Sequence, residues 1–283
     1  MVDMQLLTSI APLAATADVW FLDIWGVLHN GRQPFASSVA ACIAYRQMGG
    51  HVVLVSNSPR PRTGVIKQLD EIGVDRQAYD DAITSGDVSR ALIADAAGVP
   101  VLHIGPARDK PLFDGLGVAF ADANSAAVAV CSGLYDDETE TADNYRDLLA
   151  QLKARNVPMI CANPDIKAER GGKIIYCAGA IAAAYENTGG VVTYAGKPYP
   201  PVYAAALNIA AGLRGGAIDK ARVLAIGDGV ATDIRGASLA GIRSVFVASG
   251  VHVARGEALQ DAADKLFATE AVKPIALMTA LAW

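Results

Sequence analysis

Val19-Trp20-Phe21-Leu22-Asp23-Ile24-Trp25-Gly26-Val27-Leu28 is the stretch from which the fold can be read. Val-Trp-Phe-Leu is short, apolar and β-prone, so it reads as a buried strand. The strand ends in a carboxylate. A charge at the end of a buried strand is costly unless it has a partner or a task. In open α/β sheets ligands bind at the carboxyl ends of the strands, which makes Asp23 a candidate site residue.

Outward from this stretch, apolar runs alternate with helical patterns. The pattern predicts strands at 18–24, 51–56, 82–85, 101–105, 127–132, 158–162, 191–195, 222–227 and 243–248. Helices are predicted at 37–49, 60–73, 87–97, 141–155, 177–188, 200–213, 231–240 and 272–281. Alternating βα units predict a parallel sheet with right-handed crossovers. His51-Val-Val-Leu-Val55 and Val223-Leu-Ala-Ile226 are continuously apolar, as strands buried on both faces are. The Asn163–Lys173 stretch, rich in Pro, Gly and charge, reads as a loop. The acidic run Asp136–Asp143 reads as a solvated loop entering a helix, where acidic residues favour the first turn.

Composition narrows the classes. The chain has 283 residues, 52% hydrophobic and 19% charged, with a formal net charge of −5. It is long enough for two domains and apolar enough to bury a sizeable core. No basic stripe is visible, which argues against nucleic acid as a partner. Cys42, Cys131, Cys161 and Cys177 form no CxxC pair and no grouping with the histidines. They read as reduced thiols of a cytoplasmic protein. The stretch from Met4 to Phe21 makes a poor signal peptide, since no Lys or Arg precedes it. No apolar run reaches the roughly 18 residues needed to span a bilayer.

Four predicted strands run into polar residues: Asp23 after the first, Ser56 and Asn57 after the second, Gly196-Lys197-Pro198 after 191–195, and Asp228 after 222–227. On one edge of a parallel sheet, two carboxylates, a hydroxyl and an ammonium would meet in one crevice. Each group has a use in phosphoryl transfer. Asp23 can attack phosphorus and divide one hard step into two. Asp228 can share a magnesium ion with Asp23, since Mg²⁺ prefers hard oxygen ligands. Lys197 brings a point positive charge. Ser56 can donate a hydrogen bond. Ser58-Pro59 reads as a helix N-cap whose N–H groups can face the same phosphate. Asp233, five positions after Asp228, can bind a metal-bound water or orient Lys197. Gly227-Asp228-Gly229 lacks the third glycine of a dinucleotide fingerprint, and there is no GxxxxGK[ST], HExxH or GxSxG.

In order and content these pieces resemble the haloacid dehalogenase-like (HAD) superfamily. The matching text is Gly26-Val27-Leu28, Ser56-Asn57-Ser58-Pro59-Arg60, Gly196-Lys197-Pro198 and Gly227–Ile242, and it is most similar to subfamily IIA. That branch holds p-nitrophenyl phosphatase-like, pyridoxal phosphatase-like and N-acetylglucosamine phosphatase-like proteins. The resemblance implies an α/β fold: a Rossmann-like parallel-sheet core over 1–98 and 193–283, with an inserted C2-type α/β cap over 99–192. It implies a Mg²⁺-dependent phosphatase of a small phosphorylated metabolite. Asp23 would be the nucleophile, and Ser56, Asn57 and Lys197 would meet the phosphate. Asp23, the backbone carbonyl of Trp25, Asp228 and Asp233 would hold the metal. Cys161-Ala162-Asn163-Pro164-Asp165 looks like the family's substrate-facing cap loop, with Asn163 and Asp165 as its polar members. A simple Pro-Asp turn is the other reading. Apolar cap surfaces can pair two chains into a homodimer.

The chain departs from the pattern at Trp25, where the family usually has a second Asp. The backbone carbonyl is kept and the general acid/base carboxylate is lost. Positioned acid–base catalysis is worth about 10²–10⁴-fold, or roughly 3–5 kcal/mol of barrier. Three readings stand open. The protein is a phosphatase that is slow, limited to good leaving groups, or served by a substitute acid, for which His29 is the nearest candidate, a plain loop histidine after the strand being its other reading. It is a hydrolase of another bond, as dehalogenases and phosphonatases also lack the second Asp. Or it binds a phosphorylated ligand without turnover, with Trp25 stacking on the ligand or packing under the cap.

Overall fold

In the computed structural model, residues 4–96, 98–170, 173–248 and 258–283 are described. The strands are β1 (Gln5–Leu6), β2 (Val19–Leu22), β3 (His51–Ser56), β4 (Asp81–Thr84), β5 (Pro100–Ile104), β6 (Ala119–Phe120), β7 (Val128–Cys131), β8 (Met159–Cys161), β9 (Lys167–Arg170), β10 (Lys173–Tyr176), β11 (Val192–Tyr194), β12 (Val223–Gly227), β13 (Arg243–Val247) and β14 (Ala276–Met278). The helices are α1 (Ala11–Ala14), α2 (Ala36–Gln47), α3 (Arg62–Ile72), α4 (Ser85–Asp95), α5 (Arg146–Ala154), α6 (Ala178–Asn187), α7 (Pro200–Arg214), α8 (Arg235–Leu239) and α9 (Leu259–Leu266). Ala97, the last residue of one predicted helix, lies outside the described residues. No helix among the described residues is long and apolar enough to cross a membrane.

The chain divides into two compact units. The first comprises Met1–Ser56, Ile66–Ile83 and Lys197–Trp283, the second Asn57–Val65 and Thr84–Gly196. The second unit includes α4 and residues 57–65 as well as the 99–192 segment.

In the first unit seven strands run in the order β1-β14-β13-β12-β2-β3-β4. β2 pairs in parallel with β12 on one side and β3 on the other, Leu22 lying opposite Ile226 and Leu54. The chain builds outward from β2 through β3 to β4, then returns on the other side of β2 with β12, β13 and β14. The order therefore reverses between β2 and β12, and crevices form at such switch points. All four β2 residues are buried. The Trp20 indole stacks on the Tyr45 ring of α2 at 3.9 Å between centroids. Phe246 of β13 meets Phe267, just past α9, edge to face.

The second unit carries a five-stranded parallel sheet, β11-β8-β7-β5-β6, and the antiparallel pair β9–β10. Its core gathers Ile93, Val101, Leu112, Phe113, Val130 and Ile160. At the start of α4, Thr84 Oγ1 accepts from the Asp87 N–H while the Asp87 carboxylate accepts from the Thr84 N–H, a reciprocal capping box. Thr84→Ala is expected to cost about 1 kcal/mol, the usual worth of such a cap, read as a lower urea midpoint at unchanged slope.

Two sequence expectations are corrected. Residues 272–281 hold strand β14 instead of a helix, because Ala276–Met278 pairs between β1 and β13 and tertiary pairing outweighs local pattern. The helix nearest that stretch is α9, whose Leu259, Ala262 and Ala263 are buried at helical spacing, with Phe267 buried just past its end. The Asn163–Lys173 loop is partly strand, since β9 begins at Lys167 and pairs with β10.

Candidate active site and metal centre

The site lies at the carboxyl ends of β12, β2 and β3. The Asp23 N–H continues the β2 ladder by donating to Ile226 O at 2.9 Å, so the carboxylate follows directly on the last buried pair. Asp228 follows β12, and Ser56 ends the neighbouring strand β3. Asp233 sits in a π-turn, Val230–Ile234. Its Oδ2 accepts from the Gly229 N–H at 3.1 Å, and its backbone carbonyl accepts from the Tyr203 hydroxyl of α7 at 3.3 Å. Gly227 must lack a side chain, because a Cβ there would collide with the Asp233 carboxyl group.

Lys197 joins these groups by a route the sequence did not suggest. The strand ahead of it, β11, belongs to the other sheet, so the four polar strand ends do not share one edge. Lys197 is the residue at which the chain re-enters the first unit. Its Nζ donates to Asp23 Oδ1 at 2.6 Å and to Asp233 Oδ1 at 2.7 Å, with only 3% of the residue exposed. Carboxylate oxygens of Asp23, Asp228 and Asp233 lie within 4.8 Å of one another.

Among the described residues, the carboxylates of Asp23, Asp228 and Asp233 cluster here with the Lys197 ammonium bonded to two of them. Burial, with repulsion from Asp233 and then Asp228 outweighing the pull of Lys197, holds the Asp23 carboxyl well above the usual range. Burial alone would push the Lys197 ammonium down, but Asp23 and Asp233 outweigh it and hold the ammonium above the ordinary lysine range. A divalent cation among the three carboxylates would relieve the repulsion, and all-oxygen donors suit a hard ion. The residues present fit the expected Mg²⁺.

Trp25 is half-buried and folds back on its own loop. Its indole meets the His29 ring edge to face at 5.5 Å and packs so tightly over Gly31 that a Cβ there would collide with it. Gly31 has φ +83°, which a side chain would also strain. His29 Nδ1 accepts from the Gly31 N–H at 2.8 Å, and burial lowers its pKa to about 4. The imidazole is therefore neutral near pH 7, and one nitrogen is committed to the turn. Of the two readings of His29, that environment suits the loop histidine better than the substitute acid.

The other expected residues lie in the second unit or at its border. Asn57 Nδ2 donates to Asp165 Oδ1 at 2.8 Å. Asn163 Oδ1 accepts from the Asp165 N–H at 3.1 Å, closing an Asx turn within the Asn-Pro-Asp loop. Ser58 Oγ accepts from the Arg60 N–H, but α3 begins only at Arg62, whose N–H donates to the Asp87 carboxylate. Sequence reasoning missed Tyr203 and Gly227, which shape the Asp233 turn. A glycine at the last position of an apolar strand was the available sign for Gly227.

Comparisons with known proteins bear on this geometry. Residues 20–119 match a family model described as haloacid dehalogenase-like hydrolase, and residues 194–270 match another described as HAD-hydrolase-like. The crystal structure of a hydrolase of the haloacid dehalogenase-like family from Brucella suis 1330 is 43% identical in sequence. It aligns over 98% of this chain and 100% of its own, with a TM-score of 0.86. The chain belongs to the haloacid dehalogenase-like hydrolase family. The family's fold is also shared with a possible sugar phosphatase from Cytophaga hutchinsonii, 21% identical over 98% of each chain with a TM-score of 0.79. The D-glycerol 3-phosphate phosphatase of Mycobacterium tuberculosis is 28% identical over 266 residues, 86% of this chain. The present HAD-like chain spans 66% of that relative's length.

Proposed function

We propose that this HAD-like hydrolase is a magnesium-dependent phosphatase of the p-nitrophenyl phosphatase-like branch, acting on a small sugar or cofactor phosphate through an aspartyl-phosphate. The observation that carries the reading is the Lys197 ammonium bridging Asp23 and Asp233 with Asp228 alongside. The names of the relatives, a glycerol 3-phosphate phosphatase and a possible sugar phosphatase, support the substrate class. The specificity element is the inserted cap proposed for 99–192.

Asp23, Asp228, Asp233 and the Trp25 carbonyl would hold Mg²⁺, which when bound supplies charge neutralisation for the phosphate and the attacking carboxylate. Asp23 forms a bond to phosphorus as the ester P–O bond breaks. Water then attacks the aspartyl-phosphate, the P–O(Asp23) bond breaks, and inorganic phosphate leaves. Lys197, oriented by Asp233, offsets charge on the phosphoryl oxygens, and Ser56 donates a hydrogen bond to them. With Trp25 in place of a carboxylate, no side chain two residues past Asp23 protonates the leaving oxygen. Phenolic, acyl and anhydride leaving groups suit such a site best.

A phosphate-release screen over metabolite classes tests the reading. Turnover is expected to disappear in EDTA and return with excess Mg²⁺, and turnover indifferent to chelation would overturn the metal assignment. Halide release in place of phosphate release would move the chemistry to a different bond.

A further inference from the structure

We propose that Asn57 is a positioning residue: by donating its side-chain amide to Asp165, it fixes the segment that follows Ser56 against the 163–165 loop. The proposal rests on reading Ser56 and Lys197 as the groups that meet phosphate. Sequence order gave Asn57 a place beside the phosphate itself. The geometry gives its amide another partner, 108 residues away, in a bond of 2.8 Å with Asn57 only 6% exposed.

Asp165 is a firm anchor. Its N–H donates to Asn163 Oδ1, and its carbonyl accepts from the Gly179 N–H at 3.2 Å near the start of α6. One residue later, Ile166 O accepts from the Cys177 N–H at 3.0 Å. Gly179 is pressed so closely on Pro164 and Asp165 that a Cβ there would collide with both carbonyls. The loop is thus tied at three backbone points, and Asn57 is bonded to a side chain that the loop carries.

A second contact reaches the same residue from the other direction. A Cβ at Gly196 would collide with Asn57 Oδ1 and lie 2.8 Å from Pro164 Cδ and 2.9 Å from Ser85 Oγ. Asn57 follows Ser56 in the chain, and Gly196 precedes Lys197. The two residues covalently joined to the phosphate-contacting groups therefore pack against each other and against one loop, all within the second unit. An amide bonded to a carboxylate is charge-assisted and directional. Displacing Asn57 shifts Ser56 through one peptide bond and loosens the contact that seats Gly196.

The test exchanges the partners. Asn57→Asp sets carboxylate against carboxylate, whereas the Asn57→Asp/Asp165→Asn double variant restores one donor and one acceptor with the charge moved across. With Mg²⁺ present, Asn57→Asp is expected to raise the KM for p-nitrophenyl phosphate and the Ki of inorganic phosphate together by about tenfold, the scale of one lost hydrogen bond. The double variant is expected to recover most of that. An unchanged Ki with a lowered unfolding temperature would make Asn57 merely structural, and a double variant no better than the single would likewise overturn the proposal. If Asn57→Asp does not fold, a cycle of Asn57→Ala and Asp165→Ala decides: non-additive effects on Ki are expected, and additive ones refute the coupling. A wild-type protein that neither turns over p-nitrophenyl phosphate nor binds inorganic phosphate by calorimetry removes the phosphate-site reading, and the positioning role falls with it. Normal wild-type behaviour with an unaffected variant removes the positioning role alone.

Discussion

Asp23→Asn is expected to lower phosphate release from p-nitrophenyl phosphate by about 10³–10⁵-fold, roughly 4–7 kcal/mol of barrier, while leaving the fold intact or firmer. The two effects have opposite signs for one reason. Asn keeps an oxygen that can accept from Lys197 Nζ, so the 2.6 Å contact has a replacement. It has no negative charge, so the repulsion from Asp233 and Asp228 that burdens the carboxyl is gone. An amide oxygen is also a poor nucleophile for phosphorus. The measurement pairs phosphate release with thermal unfolding in metal-free buffer. A variant retaining a tenth of wild-type activity would show that some other group attacks.

Trp25→Asp is expected to raise kcat/KM on alkyl phosphates by about 10²–10⁴-fold and to change p-nitrophenyl phosphate turnover far less. An alkoxide needs a proton to leave, whereas nitrophenolate does not. A rate plotted against leaving-group pKa should be steep for the wild type and flatter for the variant. The indole over Gly31 has a packing role, so its removal costs stability whatever replaces it. Trp25→Asn is the control, since it leaves nearly the same void without a carboxylate. If the two variants behave alike on alkyl phosphates, a missing proton donor is not what limits this site. If neither variant nor the wild type turns over any phosphate ester while a phosphorylated metabolite binds tightly, the protein is a binder.

Much of this was legible in the sequence, for physical reasons that differ by element. β2, β3 and β12 are buried on both faces, so their apolar runs are unbroken and the polar residue ending each run stands out. Asp23 and Asp228 could be found that way. Lys197 could be found as a residue but not as a geometry. Only the sheet assignment shows that β11, the strand ahead of Lys197 in the chain, does not belong to the sheet of β2 and β12. β14 was misread because three apolar residues carry no period, and its neighbours β1 and β13 decide its state. The fate of the Asn57 amide was beyond sequence reasoning, since a hydrogen bond to a residue 108 positions away leaves no local signature.

The chain route to Lys197 also bears on biosynthesis. Lys197 and Asp23 are 174 residues apart in sequence, and the intervening chain includes the whole of the second unit. During synthesis β3 can pair with β2 early, but β12 emerges only after that whole insertion has been made. Until then one edge of Val19–Leu22 has no native partner and Asp23 has no lysine beside it. Parallel pairings of such long range form slowly, and unpaired apolar strand edges in partly folded chains invite aggregation. The arrangement that buries the ammonium in the folded protein leaves an apolar strand edge of the nascent first unit without its native partner until the ribosome has passed the insertion.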